Sequence, residues 1–132
     1  MIQCKRAYER PAAGDGRRIL VDRLWPRNCR KEALRLDQWL KELAPSSELR
    51  RAFKARELSY DDFRESYRTE LAAHPEHWWP LLSLVEHETV TLVYAARNDQ
   101  QNNARVLAEW LEEQIDHQNG QSSPPCLASE LP

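Results

Sequence analysis

The run Thr89 to Ala96 reads TVTLVYAA, β-branched and aromatic side chains without a single charge. A strand that is apolar at consecutive rather than alternate positions has both faces covered, as strands of parallel sheets do. That points to an α/β fold with this strand at or beside the centre of its sheet. Two further β-prone runs, residues 2–8 (IQCKRAY) and 18–24 (RILVDRL), are separated by a turn-forming stretch with Pro11, Gly14, Asp15 and Gly16. The expected architecture is a small, mostly parallel sheet of about three strands flanked by helices.

Helical spacing fills the rest. Leu36, Trp39, Leu40 and Leu43 recur at i, i+3, i+4 and i+7, which predicts a helix over 34–43 ending before Pro45. Ser46 or Ser47 then offers a cap for a new helix with Glu48 in its first turn. Ser59 followed by Asp62 resembles a capping box, opening a helix to about residue 73 along Tyr60, Phe63, Tyr67 and Leu71. Pro80 lacks an amide hydrogen, so the helix within 76–87 is expected to start near Trp78 or Trp79. Ala104, Leu107, Ala108, Leu111 and Ile115 form the stripe of a last helix over 101–116.

At 132 residues the chain fits one domain, expected over 1–116, with a disordered tail over 117–132, where Gly, Ser and paired prolines leave little to bury. The sequence has no run of eighteen apolar residues, and Met1 leads into a polar segment rather than a signal-like apolar one. Three cysteines without C-x-x-C spacing fit a reducing compartment, so the expectation is a cytoplasmic protein with no membrane partner. Residues 1–56 hold 15 Lys/Arg against 7 Asp/Glu, and residues 57–132 hold 4 against 14. The basic half suits an anionic ligand or a nucleic-acid backbone, while complementary packing of the two halves is the simpler reading.

In open α/β sheets ligands sit beyond the carboxyl ends of the strands. The polar residues there are Arg6 and Tyr8 after the first strand, Asp22, Arg23, Trp25 and Arg27 around the second, and Tyr94, Arg97, Asn98 and Asp99 after the third. If the strands are parallel, all face one crevice, together with Asn102 and Asn103 at the start of the last helix. In VDRLWPR, a guanidinium fork matches carboxylate or phosphate, and a nearby carboxylate can orient it or act as a base. Asp22 and Arg23 are therefore the candidate catalytic pair, and Arg6, Trp25, Arg27, Tyr94, Arg97 and Asn102 the candidate ligand contacts. The alternative at Asp22 is an ion pair bracing the loop. Asp99 is read as the cap of the last helix. Between His74 and His77 stands Pro75, and with no third ligand in view no metal site is expected. No cofactor motif is present, and none is expected.

The ordered segments VDRLWPR, APS followed by LRR, FRESYRTEL, TLVYAAR and NNARVLAEWL resemble the YeaO-like branch of domain-of-unknown-function family 488, over Ile2 to about Ile115. The resemblance implies a compact α/β fold in which the Asp-Arg strand end and the last strand-to-helix junction lie close together, and it implies no established activity. The family's characteristic positions fall on Arg6, Asp22, Arg23, Trp25, Pro26, Arg27, Pro45, Ser46, Tyr94 and Asn102. Asn28 stands where a glycine is common and Asn103 where many members have histidine, so an acid-base role at position 103 is in doubt here. The leading expectation is a domain binding a phosphorylated or carboxylated small molecule, nucleotide-like ones included. A nucleic-acid module and a structural or protein-interaction domain are the alternatives.

Overall fold

The computed structural model describes residues 1–122, with side chains described to residue 118. The elements run β1 (Ile2–Arg6), β2 (Arg17–Leu20), α1 (Lys31–Leu34), β3 (Gln38–Trp39), α2 (Ser47–Lys54), α3 (Tyr60–Ala73), α4 (Pro75–His87), β4 (Val90–Tyr94) and α5 (Asn103–Ser122). Four strands form one sheet in the order β1-β4-β2-β3, and every pairing is parallel. The uncharged run is β4, buried at all five positions between β1 and β2.

Alternation along the strands divides the apolar residues between two faces. Ile19, Val21, Val90, Leu92 and Tyr94 join Phe63, Tyr67, Leu71, Leu82 and Leu107 from the helices in the main core. Leu20 and Val93 point the other way, to a smaller cluster with Ala7, Leu34, Leu36, Trp25 and Trp39. Near the start of the strands that second face is polar. Asp15, which sequence reading treated only as a turn residue, is 3% exposed and accepts from Arg18 Nη1 at 2.7 Å, Lys5 Nζ at 3.0 Å and the Ala12 amide at 2.9 Å. Thr91 donates to the Asp15 carbonyl at 2.7 Å, tying this knot to the central strand. Gly16 closes the turn at φ +62°, with the Thr89 carbonyl where a side chain would stand.

The helix expected over 34–43 is not formed. Arg35 takes a left-handed conformation (φ 48°, ψ 50°) that stops α1, and the following backbone joins the sheet, Asp37 donating to the Arg18 carbonyl at 2.8 Å and Leu40 to the Leu20 carbonyl at 3.0 Å. The four residues at helical spacing separate across the sheet, Leu36 and Trp39 to the small cluster and Leu40 and Leu43 to the main core. This adds a short fourth strand to the three expected.

The caps at Ser46 and Ser59 form, accepting from the Leu49 and Asp62 amides at 3.2 and 3.0 Å. α4 starts earlier than expected, with Pro75 at N1, where the missing amide hydrogen costs nothing. Pro80 sits inside the helix and denies a partner to the Glu76 carbonyl, a loss that water makes good because both residues are exposed. α5 continues to Ser122, through the first residues of the expected tail, and residues 123–132 of that tail lie outside the described residues. No described helix is long and apolar enough to cross a membrane.

Candidate functional site

Because all four strands are parallel, their carboxyl ends share one edge, and the backbone segments that carry the three sequence-predicted clusters meet there, while the side chains part between the two faces of the sheet. The segments are sewn to one another by backbone groups. Ala7 donates to the Tyr94 carbonyl at 2.7 Å and Val21 to the Val93 carbonyl at 3.1 Å. Arg6 Nε donates to the Ala96 carbonyl at 3.0 Å, with its guanidinium 5.1 Å from the Tyr8 ring centroid, and Tyr8 OH donates to the Arg27 carbonyl at 3.0 Å.

Asp22 lies at the centre of this edge, where β2 leaves the sheet. Its Oδ2 accepts from the Ala95 amide at 2.9 Å and its Oδ1 from Asn103 Nδ2 at 3.1 Å. The same Asn103 nitrogen also donates to the Val21 carbonyl at 3.1 Å. The carboxylate thus joins the ends of β2 and β4 to the first residue of α5. Burial pushes its carboxyl above the ordinary range, opposed by the Asn103 and Ala95 hydrogen bonds and by the Arg50 charge. Ion pairs among the described residues lie elsewhere, at Asp15, between Arg17 and Glu88, along α3 and α5, and at His74 to His77. The Asp22 to Arg23 ion pair considered from sequence is therefore absent, and the bracing of the loop is done by neutral donors.

Arg23 turns the other way along the chain, toward the start of α2. Its Nη2 donates to the Pro45 carbonyl at 3.4 Å, a long bond, and its Nε is buried with no hydrogen-bond partner. Beside it, Glu70 of α3 accepts from the Ser46 amide at 2.8 Å and from the Ser46 hydroxyl at 2.6 Å, a carboxylate seated on the N-cap of α2. Tyr67, fully buried, donates to the Leu43 carbonyl. Burial pushes its hydroxyl pKa up, the charges of Asp22 and Glu70 add to this, and Arg23 opposes it. Tyr67 and Glu70 were not picked from sequence as site residues, since both fit the ordinary pattern of an amphipathic helix.

The other candidates divide by accessibility. Arg27 and Arg97 are exposed. Tyr94 is a core residue at 1% exposure, on the main-core face with Leu92. Asn102 caps α5, its Oδ1 accepting from the Arg105 amide at 2.9 Å and its Nδ2 donating to the Asn98 carbonyl at 2.8 Å. The cap expected at Asp99 is thus supplied by Asn102, three residues before that amide. Trp25 donates to the Cys29 carbonyl at 2.8 Å and meets Trp39 edge-on, centroids 5.4 Å apart, on the sheet face opposite Tyr67. Trp39 in turn donates to the Asp22 carbonyl at 2.7 Å, and the two indoles line an open groove with Lys31, Arg35 and Leu36.

A family model described as the inactive DUF488-N3 subclade matches residues 1–128. The chain belongs to this family. Within DUF488 it is 50% identical over 110 residues to the uncharacterised protein YeaO of Escherichia coli (strain K12), a match covering 83% of this chain and 96% of YeaO. It is 38% identical over 113 residues to the uncharacterised proteins Mb3100c of Mycobacterium bovis and Rv3073c of Mycobacterium tuberculosis (strain H37Rv), covering 83% of this chain and 92% of each. No solved structure gives a significant match. The family expected from VDRLWPR and its companion segments is the one found.

Proposed function

We propose that this DUF488 chain is a non-enzymatic binding domain that takes an anionic small molecule, phosphorylated or carboxylated and nucleotides included, at the carboxyl edge of its sheet. The observation that carries the reading is Arg23, a partly buried guanidinium with no carboxylate among the described residues at ion-pair distance, whose Nε has no partner and whose Nη2 holds only a 3.4 Å bond to Pro45. The Nε and Nη2 edge is the one on which a carboxylate or phosphate binds through two oxygens, and such a ligand replaces one weak bond with two charge-assisted ones. Arg27 and Arg97, both exposed, add positive charge at the same end of the strands. Tyr94 and Asn102 act from behind the site by fixing β4 and the start of α5.

Asp22 is an orienting carboxylate in this reading, since its oxygens accept from the Ala95 amide and Asn103 and so tie the ends of β2 and β4 to the start of α5. The description of the family as inactive supports a non-enzymatic role.

The test is a thermal-shift screen of wild type and Arg23→Gln against phosphorylated metabolites, nucleotides and short oligonucleotides at low and moderate salt. Ligand at a hundredfold over its Kd stabilises by about 2.7 kcal/mol, a shift of several degrees, expected in wild type and lost in Arg23→Gln. Silence across every compound class, or shifts equal in both proteins, sinks the reading. Oligonucleotide binding that collapses with salt and ignores Arg23 assigns the surface to nucleic acid instead, a reading supported by the exposed Arg27, Arg30, Lys31 and Arg35.

A further inference from the structure

We infer that His74, Glu76 and His77, at the corner between α3 and α4, form a site for a zinc ion, independent of the strand-end site. His74 is at once the last cap of α3 and the first of α4, with φ −133° and ψ 65°. That conformation sets its ring parallel to the His77 ring in the first turn of α4 (14° between planes), with centroids 5.0 Å apart. Glu76 reaches between them. Its Oε2 is 3.2 Å from His74 Nδ1 and 3.7 Å from His77 Nε2, and one ligating atom from each of the three residues lies within 4.8 Å of the others.

Those separations are the relevant ones. Nitrogen and oxygen ligands held about 2.1 Å from a tetrahedral ion are spaced roughly 3.4 Å apart along the edges of the tetrahedron. The distances to Glu76 fall on either side of that value, and the two imidazole planes, nearly parallel without an ion, have to turn about their side-chain bonds for both nitrogen lone pairs to meet at one ion. Two imidazoles with one carboxylate suit zinc, whereas magnesium and calcium prefer all-oxygen shells. Three protein ligands leave a fourth position to water. The side chains of His74, Glu76 and His77 are 57%, 64% and 33% exposed, so the ion has an open approach. Binding would clip the end of α3 to the first turn of α4.

The experiment is calorimetric titration of the full chain, free of any histidine tag and washed with chelator, with zinc chloride at neutral pH. One ion per chain is expected. His74→Ala and His77→Ala should each weaken binding by more than the roughly 10–100-fold that loss of even an outer partner costs, and Glu76→Gln should weaken it too. His87→Ala is the control that leaves binding unchanged, since His87 is occupied with the Ser83 carbonyl on a later turn. All four positions are solvent-accessible, and unchanged thermal midpoints without zinc verify that the variants fold. Cobalt(II) in place of zinc should show the strong visible bands of tetrahedral coordination. Failure to bind one zinc per chain, or binding that survives both histidine variants, overturns the assignment.

Discussion

Replacing Asp22 by Asn removes a charge and almost no volume, which makes it the sharpest probe of the strand-end clasp. Ala95 and Asn103 both present donors to this carboxylate, and Asn103 cannot turn its own oxygen toward the site without giving up its bond to the Val21 carbonyl. Whichever way the new amide is placed, its NH2 faces a donor and one N–H is left without a partner. An orphaned buried donor costs about 1–3 kcal/mol, and the lower half of that range applies because the site is only partly buried. A second effect opposes the first. The folded pKa of Asp22 lies above its unfolded value, so ionisation works against the fold, a cost that is absent below the unfolded pKa and complete above the folded one. Wild type therefore loses ground to Asp22→Asn as pH rises through that window. Urea denaturation followed by tryptophan fluorescence, at about pH 7 and again near the ordinary carboxylate pKa of about 4, reads both effects. The variant should be less stable at each, with the larger deficit at the acid pH. A double-mutant cycle with Asn103→Ala should give a coupling of about 0.5–3 kcal/mol. A variant as stable as wild type at neutral pH, or additivity in the cycle, would refute the clasp.

Asp15→Asn should cost about 3–5 kcal/mol, the penalty for stranding the buried Arg18 guanidinium, and thermal denaturation will show it as a large fall in midpoint. Burial alone would raise the Asp15 carboxyl, but hydrogen bonds from the Ala12 amide, Lys5 and Arg18 outweigh it and hold the pKa below its ordinary value. The stability Asp15 contributes is therefore present above the ordinary carboxylate pKa and lost as pH falls through the lowered one, so the gap between wild type and variant should close under strong acid. Gly16→Ala forces a side chain onto the Thr89 carbonyl at a positive φ and should cost more than the roughly 1 kcal/mol of the backbone conformation alone, read as a lower urea midpoint with unchanged slope.

The central strand was legible because eight uncharged residues in a row have few other uses, and the caps at Ser46 and Ser59 because an oxygen ahead of an apolar stripe has a specific job there. That the strand ends meet at one edge followed from parallel topology. What each side chain does at that edge was not legible, since it depends on facing. Tyr94 shares the core side with Leu92, and Asn102 rather than Asp99 lies three residues before an amide in need of a cap. The helix expected over 34–43 failed because apolar spacing in a short window does not distinguish one helical face from two sides of a sheet edge. The charge asymmetry was likewise a weak guide to contacts. Of the ion pairs among the described residues only Arg17 with Glu88 joins the basic half to the acidic one, while Arg64 and Arg68 pair within the acidic half with Glu109 and Glu113. Pro75, which reads as a separator between His74 and His77 in sequence, is the first residue of a helix in space and leaves the two rings stacked.

The strand order also constrains how the chain comes to be folded. β1 and β2 are never neighbours; each pairs with β4, which arrives some seventy residues after β2 begins. Until residue 94 is available the first strand has no partner, and the pair β2 and β3 is only two residues long on the β3 side. A nascent or truncated chain ending before β4 holds the separate parts of a sheet and no sheet. Such a fold pays its loop-closure entropy before the central pairings reward it, which favours slow, all-or-none assembly late in synthesis and leaves any earlier fragment dependent on a missing strand.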